Sequence, residues 1–334
     1  MPVTNKGAIV MKGLILCAGK GSRVQPFSSD TPKSLLPVAN KPLLFYCIEK
    51  LVELNIQEIG IVIQRDHQAM FEARLGHGEQ WGITVTYLYQ DIPLGIADAV
   101  KQAESFIASD RFMLLLGDNL IAQSLSGLRD LVERKGRDAG MLLGRVAYPQ
   151  DYGIAEVKGD LVIGLEEKPE RPKSNLASLG AYVFTPAIFR AIYSISPSPR
   201  GEYEITHAIQ WLIDHHHSVA YSITDENHSD VGTTERWLEA NRWVLEGLES
   251  SGQPIREHDY PGCRIIPPVL LDPSCELTDC TIGPYVTIGP RARLIDCHVK
   301  NSILLEDVSM EHSELNSVIA SRHFIATPSG RWNK

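Results

Sequence analysis

The stretch that decides the fold is Gly13-Leu14-Ile15-Leu16-Cys17-Ala18-Gly19-Lys20-Gly21-Ser22-Arg23. Residues 13–17 form a short apolar run, the pattern of a strand buried on both faces. Gly19 and Gly21 then end it in a turn, with Pro26, Pro32-Lys33 and Pro37 close behind. A tight connection that needs two glycines would account for this. So would a phosphate cradle, in which glycines let backbone N–H groups approach anionic oxygens while Arg23 and Lys33 add positive charge. The run is not a Walker loop, because Gly-Lys-Ser/Thr is missing. Nor is it a dinucleotide fingerprint, because Val24 stands where the third glycine belongs.

Outward from this turn, strands and helices alternate. Residues 42–54 place Leu44, Cys47, Ile48, Leu51, Val52 and Leu54 at helical spacing. Residues 59–63 read as the next strand. Residues 112–116 read as another, ending at Gly117-Asp118-Asn119. Further on come a strand at 180–184 and helices near 187–193 and 204–215. Continuous apolar strands alternating with helices predict an α/β fold, a Rossmann-like and mostly parallel sheet. In such sheets ligands sit beyond the carboxyl ends of the strands, where both the turn after Cys17 and Asp118 fall.

From about Ile265 the helical period stops. Thr281-Ile282-Gly283-Pro284 is echoed by Thr287-Ile288-Gly289-Pro290, and Ile282, Ile288 and Leu294 are six residues apart. That is the step of hexapeptide repeats in a parallel β-helix, although the steps on either side drift. The expected organisation is a disordered extension (1–10), an α/β domain (11–246), a linker (247–261) and a short β-helix domain with its tail (262–334).

Composition narrows the function. At 43% hydrophobic and 22% charged residues the chain reads as globular. A formal charge of −9 argues against a nucleic-acid binder but not against small anionic substrates. No apolar run approaches the ~18 residues of a membrane span, and no signal-peptide pattern opens the sequence, so no membrane partner and a cytoplasmic location are expected. The six cysteines lack close C-x-x-C pairs and read as reduced and structural. Three consecutive histidines, His215-His216-His217, cannot easily aim at one ion and read as a helix-end turn.

The run Ala18-Gly19-x-Gly21-Ser22-Arg23-Val24-x-Pro26 with Pro32-Lys33 resembles the signature loop of the sugar-1-phosphate nucleotidyltransferases. That family usually has Thr and Leu in place of Ser22 and Val24. Similar blocks follow at residues 37–42, at Gln90 with 93–97, at 116–119, 152–153, 166–169 and 200–206. With residues 208–214 and the tail, they resemble the family's long-form thymidylyltransferase branch, which carries a left-handed β-helix.

The resemblance implies in-line attack by a sugar-phosphate oxygen on the α-phosphorus of a nucleoside triphosphate, with Mg²⁺ as cofactor. It implies dTTP or UTP and glucose 1-phosphate as substrates, and a homo-oligomer. Leu16, Ala18, Gly19, Gly21 and Ser22 would meet the nucleotide. Arg23 and Lys33 would neutralise the triphosphate. Gln90 would read a pyrimidine edge through a donor and an acceptor, with the base lying against Gly95. Asp118 and Asp230 would hold Mg²⁺. Lys168 would hold the sugar phosphate and Glu167 the sugar hydroxyls, in a pocket lined by Tyr152, Gly153, Gly180 and Tyr182. The residues alone leave Asp118 open as a turn residue, Asp230 as a helix entry and Gln90 as a solvated amide. Two positions depart from the family: His228 replaces a Trp, and His207 replaces an Asp.

Overall fold

The computed structural model describes residues 11–19, 21–250, 260 and 262–328, and the backbone of 332–333. The expected extension (1–10) lies outside the described residues, as do 251–259 and 261 of the expected linker. The chain divides into two compact units. The described residues before Gly21 and Cys47–Glu226 form the first; Gly21–Tyr46 and the chain from Asn227 onward form the second. That division cuts across the expected domains. The first four residues of the expected linker are helical, because the last helix, Thr234–Ser250, continues through them.

The first unit is built on one nine-stranded sheet. Its order is Thr84–Tyr89, Glu58–Ile63, Met11–Leu16, Arg111–Leu116, Leu176–Phe184, Ala139–Arg145, Val219–Thr224, Leu161–Glu167 and Gly153–Lys158. The first four strands are parallel, with Leu14 opposite Gly60 on one side and Leu114 on the other. Leu14, Ile61 and Leu114 are fully buried, as an apolar strand covered on both faces requires. Beyond them the sheet is mixed, not mostly parallel as expected. Leu176–Phe184 runs antiparallel to both its neighbours, and Leu161–Glu167 is antiparallel to Gly153–Lys158. The helix Ile205–Asp214 packs on Leu161–Glu167 and on the helix Ala187–Ser194.

In the second unit, Pro37–Val38 and Lys41–Pro42 pair as a hairpin. Ala39 and Asn40 turn it with φ of 48° and 57°, the left-handed pair that a two-residue turn matching strand twist requires. The C-terminal chain forms three sets of strands, parallel through Ile319–Ala320 and consistent with a β-helix, and Ile325–Ala326 and Trp332–Asn333 extend one set antiparallel. Register partners Arg264, Thr281, His298 and Glu314 are 17, 17 and 16 residues apart by their numbers. Ile282, Ile288, Leu294, Val299 and Leu304 are all buried in one apolar core. Their steps are six, six, five and five by the same subtraction, which explains why the six-residue pattern drifts after Leu294. Corner residues absorb the bends in the left-handed region, among them Asp279, Asp296 and His312 at φ of 53°, 51° and 49°. Asp is among the residues that tolerate this conformation.

Candidate active site

The carboxyl ends of the four parallel strands lie side by side and are laced by backbone hydrogen bonds. Cys17 N–H donates to Val62 O (2.7 Å), Gly117 N–H to Leu16 O (2.9 Å) and Gln90 N–H to Ile63 O (3.0 Å). The Gln64 amide donates to Ala18 O at 2.8 Å. Gly117 is required where it stands, because a Cβ there would come within 2.4 Å of the Cys17 sulfur. Leu16, Ala18, Gln90 and Asp118 are thus gathered at one sheet edge, and a Cβ on Gly19 would meet nothing within 4 Å. An approach of backbone to ligand is open there.

Gln90 is buried, with 5% of its surface exposed. Its amide nitrogen donates to Asp98 Oδ2 (2.7 Å) and to Gly95 O (3.1 Å). Gly95 has φ of 110°, and a Cβ on it would meet the Tyr203 backbone at 2.6 Å, so glycine is needed.

The mixed half of the sheet carries the residues expected to meet the sugar. Glu167 and Gly153 are register partners on adjacent strands, and Lys168 follows with φ of 43°, its N–H donating to Tyr152 O at 3.0 Å. Thr206 Oγ1 donates to Glu167 Oε2 at 3.1 Å, and Arg200 lies 3.8 Å from Oε1. Burial raises the Glu167 carboxyl above the ordinary carboxylate value, and the Glu204 charge adds to this; Thr206, Lys168 and Arg200 oppose it. Gly180 sits in an irregular stretch of Leu176–Phe184 with φ of 70°, and a Cβ there would meet the Asn119 amide at 2.3 Å. Tyr182, expected in the sugar pocket, is buried, with 3% of its surface exposed. Its ring stacks on Phe184 at 5.6 Å, its hydroxyl pairs with Ser178 Oγ at 2.7 Å, and burial pushes its pKa up to about 12. The three histidines after Ile205–Asp214 go separate ways. His215 bonds the Trp211 carbonyl and stacks on its ring, while His217 faces Asp138.

The second unit brings together Gly21, Arg23, Lys33 and Asp230. Gly21 (φ 59°) opens the single turn Ser22–Val24, where Ser22 and Arg23 are exposed. A Cβ on Gly21 would crowd Lys33 Cβ at 3.1 Å. Lys33, only 8% exposed, donates to the Asp230 backbone carbonyl at 2.6 Å. Arg236 donates to Asp230 Oδ1 at 2.8 Å, and Arg23 lies 3.5 Å from Oδ2. Burial pushes the Asp230 carboxyl up, but Lys33, Arg236 and Arg23 outweigh burial and hold it below the usual carboxylate value. Arg236, Thr206, Arg200 and Asp98 carry no role in the sequence reading. The signals for them were faint: Arg236 six residues after Asp230, and Asp98 directly after the quoted block 93–97.

Among the described residues no group of three or more His, Cys, Asp or Glu is placed to hold a metal. Asp118 and Asp230 are hard oxygen donors. Asp118, in the first unit, and Asp230, in the second, each offer the carboxylate donor that Mg²⁺ ordinarily takes alongside phosphate oxygens and water, so each residue by its chemistry fits that ion.

A nucleotidyl transferase family profile matches residues 12–247. The chain belongs to that family. It is 43% identical over 244 residues to a glucose-1-phosphate thymidylyltransferase of Streptomyces antibioticus, covering 72% of this chain and 67% of that one. It is 35% identical to the UTP–glucose-1-phosphate uridylyltransferase AglF of Haloferax volcanii, covering 71% of this chain and 97% of that one. Among solved structures, a candidate glucose-1-phosphate thymidylyltransferase of Bacillus anthracis in complex with a sucrose matches with a TM-score of 0.66 at 33% identity. That match covers 70% of this chain and 95% of the other. No helix among the described residues is long and apolar enough to cross a membrane.

Proposed function

We propose that the protein transfers a thymidylyl group from dTTP to α-D-glucose 1-phosphate, giving dTDP-glucose and pyrophosphate. One observation carries the reading. The buried Gln90 amide, the Asp118 carboxylate and the Glu167-Lys168 pair stand at or just beyond strand ends of one sheet, in a chain 43% identical to a glucose-1-phosphate thymidylyltransferase.

The acceptor phosphate is already ionised at neutral pH and needs no general base. What the protein must do is bring two polyanions into line and stabilise the leaving charge. Lys168, held on a left-handed backbone beside Tyr152, fixes the sugar phosphate. Glu167 accepts hydrogen bonds from the sugar hydroxyls. Arg23 and Lys33 offset triphosphate charge, and the glycines at 19 and 21 admit phosphate oxygens to the backbone. Mg²⁺ on Asp118 and Asp230 would supply further positive charge to the phosphates. We read the C-terminal coil as a short left-handed β-helix serving packing or homo-oligomer contacts. Its support is the three sets of strands, parallel through Ile319–Ala320, and the buried apolar ladder.

Uridylyl transfer is the second reading, favoured by the match to AglF. The test is pyrophosphate release with glucose 1-phosphate, Mg²⁺ and each of dTTP, UTP and GTP. Release is expected to be fastest with dTTP; no release with any of the three overturns the proposal.

A further inference from the structure

We infer that Asp98 is a specificity-determining positioning residue: it fixes the Gln90 side-chain amide so that only its oxygen is left to meet the nucleotide base. The inference rests on the assignment of Gln90 to the base. A carboxamide bears two donor hydrogens on nitrogen and an acceptor oxygen, and a half-turn exchanges them. Here the half-turn is closed off. Both groups that Gln90 Nε2 reaches, Asp98 Oδ2 at 2.7 Å and the Gly95 carbonyl at 3.1 Å, can only accept. Turning the amide over would set its oxygen against two acceptors in a buried place. Among the described residues nothing donates to Gln90 Oε1.

The geometry holds from the backbone up. Gln90 follows the strand Thr84–Tyr89 directly, and its N–H is tied to Ile63 O. Asp98 lies in the helix Ile96–Lys101, whose N-cap is Gly95, so one short segment supplies both acceptors. Ala97 N–H donates to Tyr203 O at 3.0 Å and Tyr203 N–H to Leu94 O at 2.7 Å, which fastens that segment to the chain before Ile205–Asp214.

An amide that presents only oxygen at the N3 position demands a base with a hydrogen to give there. Thymine and uracil carry N3–H and satisfy it. Cytosine presents a bare N3 at the same edge, and two acceptors then face each other. A site built around one hydrogen bond rejects the partner that lacks it far more strongly than an apolar pocket does. The device selects for N3–H and is blind to the thymine methyl group. It therefore accounts for rejection of cytosine nucleotides and leaves dTTP against UTP to other contacts.

The test compares wild type, Asp98→Ala and Asp98→Asn by equilibrium binding of dTTP and dCTP and by kcat and KM for each. Wild type is expected to favour dTTP by ~10-fold or more. In Asp98→Ala the nearer acceptor is gone and only the Gly95 carbonyl opposes a half-turn, so that ratio should fall toward one, mainly through KM. Asp98→Asn retains an acceptor for Gln90 Nε2 and should restore the preference. An unchanged ratio in Asp98→Ala overturns the inference, as does Asp98→Asn behaving like Asp98→Ala, or no preference in wild type. Absence of pyrophosphate release overturns the transfer reaction instead, and the binding ratios still decide the role of Asp98.

Discussion

Glu167 shows what a single buried carboxylate costs and does. Its pKa is raised, so in the folded protein it holds its proton to higher pH than in the unfolded chain. Below the unfolded value both states are protonated and the group is neutral to stability. As pH rises from there through the folded value, stability is lost, and it stays lost above. Glu204, Arg200, Lys168 and Thr206 are the groups that set the size of this effect. Glu167→Gln should therefore raise the melting temperature at pH 7 to 8, with the gain shrinking toward pH 4. It should also lower kcat/KM for the sugar phosphate by about 10- to 100-fold, since a hydrogen bond to a charged group is lost. Melting curves across pH and initial rates against glucose 1-phosphate check the two halves separately. The sequence resemblance picked out Glu167 and Lys168, but nothing in it marked Arg200 and Thr206 as their supports. Such supports arise from strand and helix packing, which residue spacing does not encode.

At the scale of elements, the helix Thr234–Ser250 organises its unit. Asn241, 1% exposed, accepts from the Ala39 N–H at 3.0 Å and from Thr287 Oγ1 at 2.8 Å with one oxygen. Trp237, fully buried, donates to Pro37 O at 2.7 Å and meets the Phe27 ring edge-on at 5.4 Å. One helix face thus fastens residues 27–39 to its own side and a C-terminal strand to the other. Asn241→Leu leaves two buried donors without partners. It should cost about 2–4 kcal/mol in denaturant unfolding, because each orphaned group carries a desolvation penalty. Elements with long apolar runs, such as Met11–Leu16 and Arg111–Leu116, were legible from sequence to within a residue or two. Five sheet strands were not: Thr84–Tyr89, Ala139–Arg145, Gly153–Lys158, Leu161–Glu167 and Val219–Thr224. Leu161–Glu167, for one, is buried only at Val162 and Leu165 and carries glycine and charge inside it. That weakens the apolar signal on which a parallel-sheet reading depends.

For the whole molecule, contacts join segments far apart in sequence. The tail was expected to be a short β-helix domain after a linker, serving packing or oligomer contacts. Within the second unit the Asn40 amide donates to Ile288 O at 2.9 Å, and Arg242 reaches Asn301 at 3.1 Å and lies over the Tyr285 ring. A chain ending near Gly252 would lose these partners along with Thr287. Its melting temperature should fall by roughly 5 °C or more, from several lost hydrogen bonds at about 1 kcal/mol each. Its pyrophosphate release should fall as well, since Arg23 and Lys33 lie in the segment that loses support. Size-exclusion chromatography of the same sample would show whether assembly changes. An unchanged melting curve would return the tail to the status of an appendage.

The union of Gly21–Tyr46 with the chain from Asn227 onward also sets a timetable. On the ribosome, Gly21–Tyr46 emerges before its partners are made. The intervening stretch, Cys47–Glu226, must be translated first, which at 5–20 residues per second takes on the order of tens of seconds. Through that interval the nascent chain can complete its sheet while Arg23 and Lys33 wait, unseated, for the chain from Asn227 onward. Any binding that relies on Arg23 and Lys33 would therefore have to await the chain from Asn227 onward.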